Sequence, residues 1–523
     1  MKKVLILICS LVLLAACDKA PVSMPELFAD HMVLQRDRDI PIWGWSNPKA
    51  RVTIVWQGSK KVVRADREGF WKTKLRPTPA GGPFEMQVND STIRDILVGD
   101  VFLCSGQSNM ELPVKRCLDV VAGEIKDYSN PLIRYMKVPL AYKFDGPAKD
   151  LPECGWEVLD GEQTALSWGA LCYFTARYLQ EAEGVPVGMV NSSVGGSPIE
   201  AWLREDALPD YALAELRELQ DPAVLDSINN FNAHLYSDWQ NAHNALPAPE
   251  GARWRNVDIF SKSWAVDARG DNIYGSHILR RRFRLKAGQT GESVLHLGAM
   301  IDADSTFVNG KLVGSTTYMY PPRNYAVPEN FLREGMNEVE IHLYACGGNP
   351  AGFVPDKNYS LETPGGSVSL LKGWEHKAGR RMPARAPQVF LQYKAAGLYN
   401  AMSAPLRNYA FDGFIWYQGE SNCNNASSYG ELLEKLINTR REELASPALP
   451  AYIIELAAFE HSELSDNDWG WNRVQKEQRR TAEKMDGVWL VPNADLGEWN
   501  DIHPQDKATL GRRAADVILK SKN

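Results

Sequence analysis

Ser108 and His503 are separated by most of the chain, yet they are the two side chains best suited to acyl-transfer chemistry. A serine hydroxyl becomes an effective nucleophile when a neutral imidazole takes its proton, and the imidazole needs an acidic partner to fix its tautomer. Ser108 stands in Ser105-Gly106-Gln107-Ser108-Asn109-Met110. His503 stands in Asn500-Asp501-Ile502-His503-Pro504, with Asp501 as the nearest acid. The plainer readings are a Ser-Asn pair that caps a helix and a histidine on a surface loop. The serine run contains G-x-S, but Met110 takes the place of the second glycine of a nucleophile elbow, which disfavours an ordinary α/β-hydrolase.

Two more runs offer donors to the negative oxygen that develops during acyl transfer. In Asn191-Ser192-Ser193-Val194-Gly195-Gly196-Ser197, the glycines let backbone N–H groups approach a substrate closely, Gly196 or Gly195 in particular. A tight strand-to-helix turn would use them equally well. Ile415-Trp416-Tyr417-Gln418-Gly419-Glu420-Ser421-Asn422 offers the neutral amides of Gln418 and Asn422. Glu420 and Ser421 in the same run read most simply as a buried structural acid and a helix cap, with Ser421 a rival nucleophile. There is no CxxC pair and no HExxH run, so a zinc site has little support and a metal-free mechanism is expected.

These runs need elements to hold them. Val101-Phe102-Leu103-Cys104 reads as a buried strand, residues 166–184 as a helix and 186–191 as the next strand. Strand–helix alternation implies a parallel sheet with helices on both faces, an α/β fold. Ahead of it, residues 18–95 show short alternating segments split by Gly, Asn, Pro and Asp turns, the pattern of a small N-terminal β-sandwich. The α/β rhythm runs over 96–250, breaks for β-like segments over 251–385, and resumes over 386–523. In the interruption, Val308-Asn309-Gly310-Lys311 carries the Asn-Gly signal of a tight hairpin.

A length of 523 residues implies several cores. The net charge of -7 gives no whole-chain field for phosphate backbones, so nucleic acid is not an expected partner. Residues 1–17 combine Met1-Lys2-Lys3, an apolar stretch and Ala15-Ala16-Cys17, which is an export signal. The ending L-A-A-C resembles the bacterial lipobox, which implies a lipid-bearing Cys17 and a membrane-anchored lipoprotein, periplasmic or on the cell surface. A plain secretory signal with an incidental cysteine is the alternative. Six cysteines lie beyond Cys17, a number that permits disulfides without fixing their pairing.

Taken in order, SGQSNM, NSSVGGSPIEAW, LYNAMSAPL, IWYQGESN and DIHP resemble the sialate O-acetylesterase family, a branch of the SGNH (GDSL-like) hydrolases. The opening FADHMVLQRD extends the resemblance over nearly the whole mature chain. It implies a flavodoxin-like sheet, no cofactor, and removal of acetyl groups from carbohydrates such as sialic acid or an acetylated polysaccharide. It also implies Ser108 as nucleophile, His503 as base and Asp501 as orienting acid, with the Ser108 N–H, a Gly196 N–H and the Gln418 side chain around the oxyanion, and Glu420 and Asn422 in support. The superfamily places its acid three residues before the histidine, where this chain has Asn500, so Glu498 and Glu420 are rivals to Asp501. Residues 251–385 resemble the jelly-roll sugar-binding domain of some glycoside hydrolases, and Tyr318, Tyr320 and Tyr325 could stack on sugars or pack the β-core. Two other functions fit the same residues: a sugar-binding surface lipoprotein with an inactive hydrolase domain, and a lipase or thioesterase with a long acyl groove.

Overall fold

The run Val101-Phe102-Leu103-Cys104 is unbroken in its apolarity because its strand is covered on both faces, as central parallel strands are. That strand, β1 (Ser91–Gly106), is 16 residues long, and every residue from 96 to 106 is buried. The computed structural model describes residues 21–522 except 248, 320, 348, 445, 460–469 and 499–500, so Cys17, Tyr320 and Asn500 lie outside the described residues. Two compact units are present: residues up to Gln220 together with those from Leu391 onward, and Asp221–Phe390.

In the first unit, β1 serves two sheets in turn. Its first half pairs antiparallel with Gly81–Val88 and parallel with Val33–Gln35, and Gly81–Val88 also pairs with Arg51–Trp56. A three-stranded sheet of Val22–Ser23, Ile40–Ser46 and Phe70–Leu75 accompanies them. The second half of β1 enters a parallel sheet with β2 (Asn130–Lys137), β3 (Val187–Ser193), β4 (Gly413–Tyr417), β5 (Ala451–Ile454) and β6 (Val488–Val491), in the order β2-β3-β1-β4-β5-β6. Glu157–Leu159 pairs antiparallel on the outer side of β2, and across the remaining five strands the chain order is 2-1-3-4-5, so the order reverses at β1. In open α/β sheets, ligands bind outside the carboxyl ends of the strands at such a reversal. The three motif-bearing segments follow β1, β3 and β4, the strands that meet there.

Helices α1 (Ala170–Glu183), α2 (Tyr429–Glu443), α3 (Gly470–Lys484) and α4 (Lys507–Ser521) complete the α/β architecture. They pack in two pairs, α1 with α4 and α2 with α3. A Cβ on Gly511 would lie 2.4 Å from the Phe174 Cβ, so α1 and α4 approach as closely as they do because that position is glycine. Helix α1 stops at Gly184, whose φ of 69° allows its N–H to close on the Gln180 carbonyl.

The second unit opens with a 24-residue helix, Pro222–Ala245, started by the Asp221 side chain, which accepts from the Ala223 N–H, and by Pro222 in the first turn. The compact unit begins at 221, ahead of the β-like segments expected from 251, and includes this helix. Six-stranded and four-stranded sheets follow, with Leu279, Leu295, Leu361, Ile341 and Trp374 in one buried core. The hairpin is where its Asn-Gly signal put it: Asn309 and Gly310 have φ of 50° and 79° between Val308 and Lys311. The Tyr325 hydroxyl bonds to the Asp304 carboxylate, and its ring lies over Gly314, where a Cβ would collide with it. Tyr325 is therefore a packing residue of this unit.

Candidate active site

Ser108, the expected nucleophile, is positioned by a glycine that lets two strand ends converge. Gly106 has φ of 137°, and a Cβ there would lie 2.0 Å from the Tyr417 carbonyl oxygen at the end of β4. Only glycine tolerates both constraints. Gln107 fastens the two segments further: its N–H donates to Tyr417 O, and its side-chain Oε1 accepts from the N–H groups of Gly419 (3.4 Å) and Ser421 (3.2 Å). Ser108 then opens a four-residue helix, Ser108–Glu111.

The His503 imidazole lies on this serine, with Nε2 2.9 Å from Ser108 Oγ. Ser108 and His503 are thus within hydrogen-bond reach across 395 residues of sequence. Asp501 sits beside them in a different way from a directly bonded triad acid. Its Oδ1 accepts the His503 backbone N–H at 2.9 Å and lies 3.7 Å from the imidazole Nδ1, within ion-pair range and beyond a hydrogen bond. The rival acids are engaged elsewhere. Glu498 accepts the Gln505 N–H, and Glu420 accepts from the Asn109 amide. Ser421 lies in the exposed part of its run and contributes its N–H to Gln107.

The glycine loop after β3 borders the serine. A Cβ on Gly195 would lie 3.4 Å from the Ser108 Cβ, and one on Gly196, at φ 75°, would lie 2.3 Å from the Tyr393 hydroxyl. The Gly195 N–H already donates to Glu111 Oε2 at 2.7 Å. The N–H groups of Gly196 and Ser108 have no hydrogen-bond partner among the described residues.

Gln418 directly follows β4. It is fully buried, and its amide nitrogen donates to Ser197 O at 3.2 Å and Asn422 Oδ1 at 2.7 Å, which uses both of its N–H bonds. Asn422 Oδ1 also accepts the Ile199 N–H at 2.9 Å, and its amide donates to Glu200. Gln418 and Asn422 therefore clamp residues 197–200, directly after the glycine loop.

Two residues of the site had gone unnoticed in the sequence. Asn109 donates through one amide nitrogen to Glu420 Oε1 (2.8 Å) and to the carbonyl of Ile502 (2.9 Å), the residue before His503. Its Oδ1 accepts from Lys507 Nζ at 2.8 Å, and Lys507 is only 1% exposed. Burial draws the Lys507 pKa from 10.5 down to about 8, while Cys117, Glu420, Glu498 and Asp501 oppose that fall. Burial also raises Glu420, against the Asn109 hydrogen bond and the charges of His503 and Lys507. A signal for Lys507 existed: it lies on the stripe formed with Leu510, Gly511, Ala514 and Ile518, the buried face of α4. A lysine there has to find a polar partner inside.

Among the described residues, no group of three or more His, Cys, Asp or Glu side chains is arranged to hold a metal ion. The six cysteines from Cys104 to Cys423 are free thiols. No described helix is long and apolar enough to cross a membrane.

Comparison with known proteins adds three findings. The family described as "Carbohydrate esterase, sialic acid-specific acetylesterase" matches residues 98–228 and 378–520, more than half of the chain. The sialate O-acetylesterase of Rattus norvegicus is 30% identical over 220 residues, and that of Mus musculus 32% identical over 213; each match covers 36% of this chain and 39% of the relative. The chain thus spans well under half the length of these curated relatives. A solved carbohydrate acetylesterase from Xanthomonas citri matches with a TM-score of 0.57 at 22% identity, over 96% of this chain and 76% of that one, a likeness of fold.

Proposed function

Because the chain belongs to the carbohydrate esterase, sialic acid-specific acetylesterase family, we propose that it is a serine esterase that removes O-acetyl groups from a carbohydrate through an acetyl-enzyme. The observation that carries this reading is the 2.9 Å contact between His503 Nε2 and Ser108 Oγ. Ser108 Oγ attacks the acetyl carbonyl carbon while its proton passes to Nε2. The carbonyl oxygen becomes an oxyanion and meets the N–H groups of Ser108 and Gly196, which have no hydrogen-bond partner among the described residues. Collapse of this intermediate breaks the bond to the sugar oxygen, which takes the proton back from the imidazole and leaves as a hydroxyl. Water, activated by the same imidazole, then releases acetate from Ser108.

Asp501 stabilises the imidazolium from 3.7 Å and holds the His503 backbone. Gln418, with both N–H bonds committed, acts as the clamp that keeps the glycine loop in place. The strand order 2-1-3-4-5 supports an SGNH-type, flavodoxin-like arrangement of the first unit. The paired antiparallel sheets about one core support a jelly-roll in the second. Anchoring through a lipid on Cys17 after export belongs to the same proposal and rests on the sequence of residues 1–17 alone.

The names of the relatives make O-acetylated sialic acids and acetylated polysaccharides the substrates to try. The test is acetate release from O-acetylated sialic acids, xylan and pectin, with Ser108→Ala as the blank. Release from at least one of them that vanishes in the variant is the expected result, and release that persists in the variant refutes the assignment.

A further inference from the structure

A second cavity, of about 410 Å³, shares no residue with the Ser108 site. Its aromatic side comes from the three-stranded N-terminal sheet. Trp43 and Trp45 lie two residues apart on strand Ile40–Ser46 and so face the same way. Gly44 between them faces the opposite way, where a Cβ would meet the Ser23 carbonyl at 2.4 Å. Phe70 is registered opposite Trp45 on the neighbouring strand, and their rings stand 6.4 Å apart. Trp45 and Phe70 are both half-buried, and Trp43 is held from beneath by the edge-on contact of its ring with Phe28 at 4.8 Å.

The other side of the cavity is cationic. Lys149 and Arg407 line it, both exposed, and neither forms an ion pair or a side-chain hydrogen bond among the described residues. The indole N–H groups of Trp43 and Trp45 also lack partners there. Lys72, registered opposite Trp43, reaches Asn408 on the rim. Glu68 is the one carboxylate in the lining. A donor-rich, locally positive pocket with an aromatic floor therefore stands on a chain whose net charge is -7.

Small-molecule pockets of a few hundred Å³ combine an apolar, aromatic lining with a few placed polar groups that select the ligand. The aromatic faces suit the C–H face of a pyranose ring, and a guanidinium beside an ammonium suits a carboxylate. A neutral sugar would leave two cations against the single Glu68 carboxylate in the lining. We propose that this cavity is a separate carbohydrate-binding site for a carboxylated sugar residue, with the ring on Trp45 and Phe70 and the carboxylate on Arg407 and Lys149. Such a site would retain an acidic glycan on the protein and raise its effective concentration at the reacting centre. The proposal rests on the carbohydrate reading of the esterase for its biological sense, and on the cavity alone for its chemistry.

Isothermal titration of the full-length protein tests it, with N-acetylneuraminic acid and trigalacturonate as acidic probes and cellotriose as the neutral one. None of the three carries an ester, so turnover does not interfere. At least one acidic probe is expected to bind, with cellotriose about tenfold weaker or worse. Trp45→Ala and Arg407→Gln should each weaken acidic binding by about tenfold or more, the scale of a lost charged hydrogen bond or aromatic contact. Hydrolysis of p-nitrophenyl acetate should stay at the wild-type rate in both variants, which also reports an intact fold. Arg407→Gln alters an exposed side chain and decides the matter if Trp45→Ala fails to fold. Absence of binding by both acidic probes, binding indifferent to Arg407→Gln, or equal binding of cellotriose would each overturn the proposal. A protein that binds these sugars without releasing acetate from any ester would leave the cavity standing and remove the esterase.

Discussion

Lys507→Met is the substitution that bears most directly on how the site is held. A lysine whose pKa falls from 10.5 to about 8 in the fold is protonated in both folded and unfolded chains below pH 8. Over that range its buried charge lowers folded-state stability by about 3 kcal/mol relative to a chain in which it is neutral. Between pH 8 and 10.5 the folded protein has released the proton while the unfolded chain still binds it, so stability from this group rises with pH. Above 10.5 both states are neutral and the deficit is gone. Methionine fills a similar volume without charge, but leaves Asn109 Oδ1 without its 2.8 Å donor, a loss of about 1–3 kcal/mol. The two effects nearly cancel at pH 7, so the variant should be about as stable as the wild type there. By pH 10 the wild type should have gained about 2–3 kcal/mol relative to the variant. Asn109 without its lysine no longer holds the Ile502 carbonyl and the His503 segment firmly, so kcat/KM should fall about 10- to 100-fold at pH 7. Denaturant unfolding of both proteins from pH 7 to 10, with p-nitrophenyl acetate hydrolysis alongside, gives both readouts. A stability difference that does not change with pH would refute the buried charge, and wild-type activity in the variant would refute its positioning role.

Ser108→Ala and His503→Ala should each reduce hydrolysis of p-nitrophenyl acetate by at least about a thousandfold, with unchanged circular dichroism. Asp501→Asn should cost about a hundredfold in kcat, less than the roughly 10⁴ of a directly bonded triad acid, because its carboxylate stands 3.7 Å from Nδ1. A loss as large as that of His503→Ala would place Asp501 in direct contact during turnover. Gln418→Ala should lower unfolding free energy by about 2 kcal/mol through the lost clamp on Ser197 and Asn422, measured by chemical denaturation. An unchanged stability with a thousandfold loss of kcat would make Gln418 an oxyanion donor after all. Gly196→Ala should lose both activity and stability, since the Cβ meets the Tyr393 hydroxyl at 2.3 Å on a left-handed backbone; full activity would exclude that loop from the site.

Much of the fold was readable because it depends on local pattern. Helix Tyr429–Glu443 and helix Lys507–Ser521 show a 3.6-residue apolar period, and the Asn309-Gly310 turn announces itself in two residues. The helix Pro222–Ala245 also carries a legible Asp-Pro start. Residue type and motif single out Ser108 and His503 as the expected nucleophile and base, but the network beneath them is not legible in the sequence. Lys507 meets Asn109 across 398 residues because β1 and α4 are packed in one unit, and no local pattern encodes that meeting. Gln418 was similarly opaque. Its residue type promises a donor, and only the packed positions of Ser197 and Asn422 reveal that both N–H bonds are taken.

The length of β1 has a bearing on how such a chain can evolve and be cut. A strand that runs unbroken from the antiparallel N-terminal sheet into the parallel one offers no seam at which recombination could exchange the front of the molecule. A chain started at residue 96 would lose Gly81–Val88 and Val33–Gln35, the partners of Ile96 to Gly99, and leave a raw strand edge at the end of β1 away from Ser108. Such edges template aggregation. The N-terminal sheet and the parallel one therefore share one strand, and limited proteolysis should find no stable fragment that begins between them.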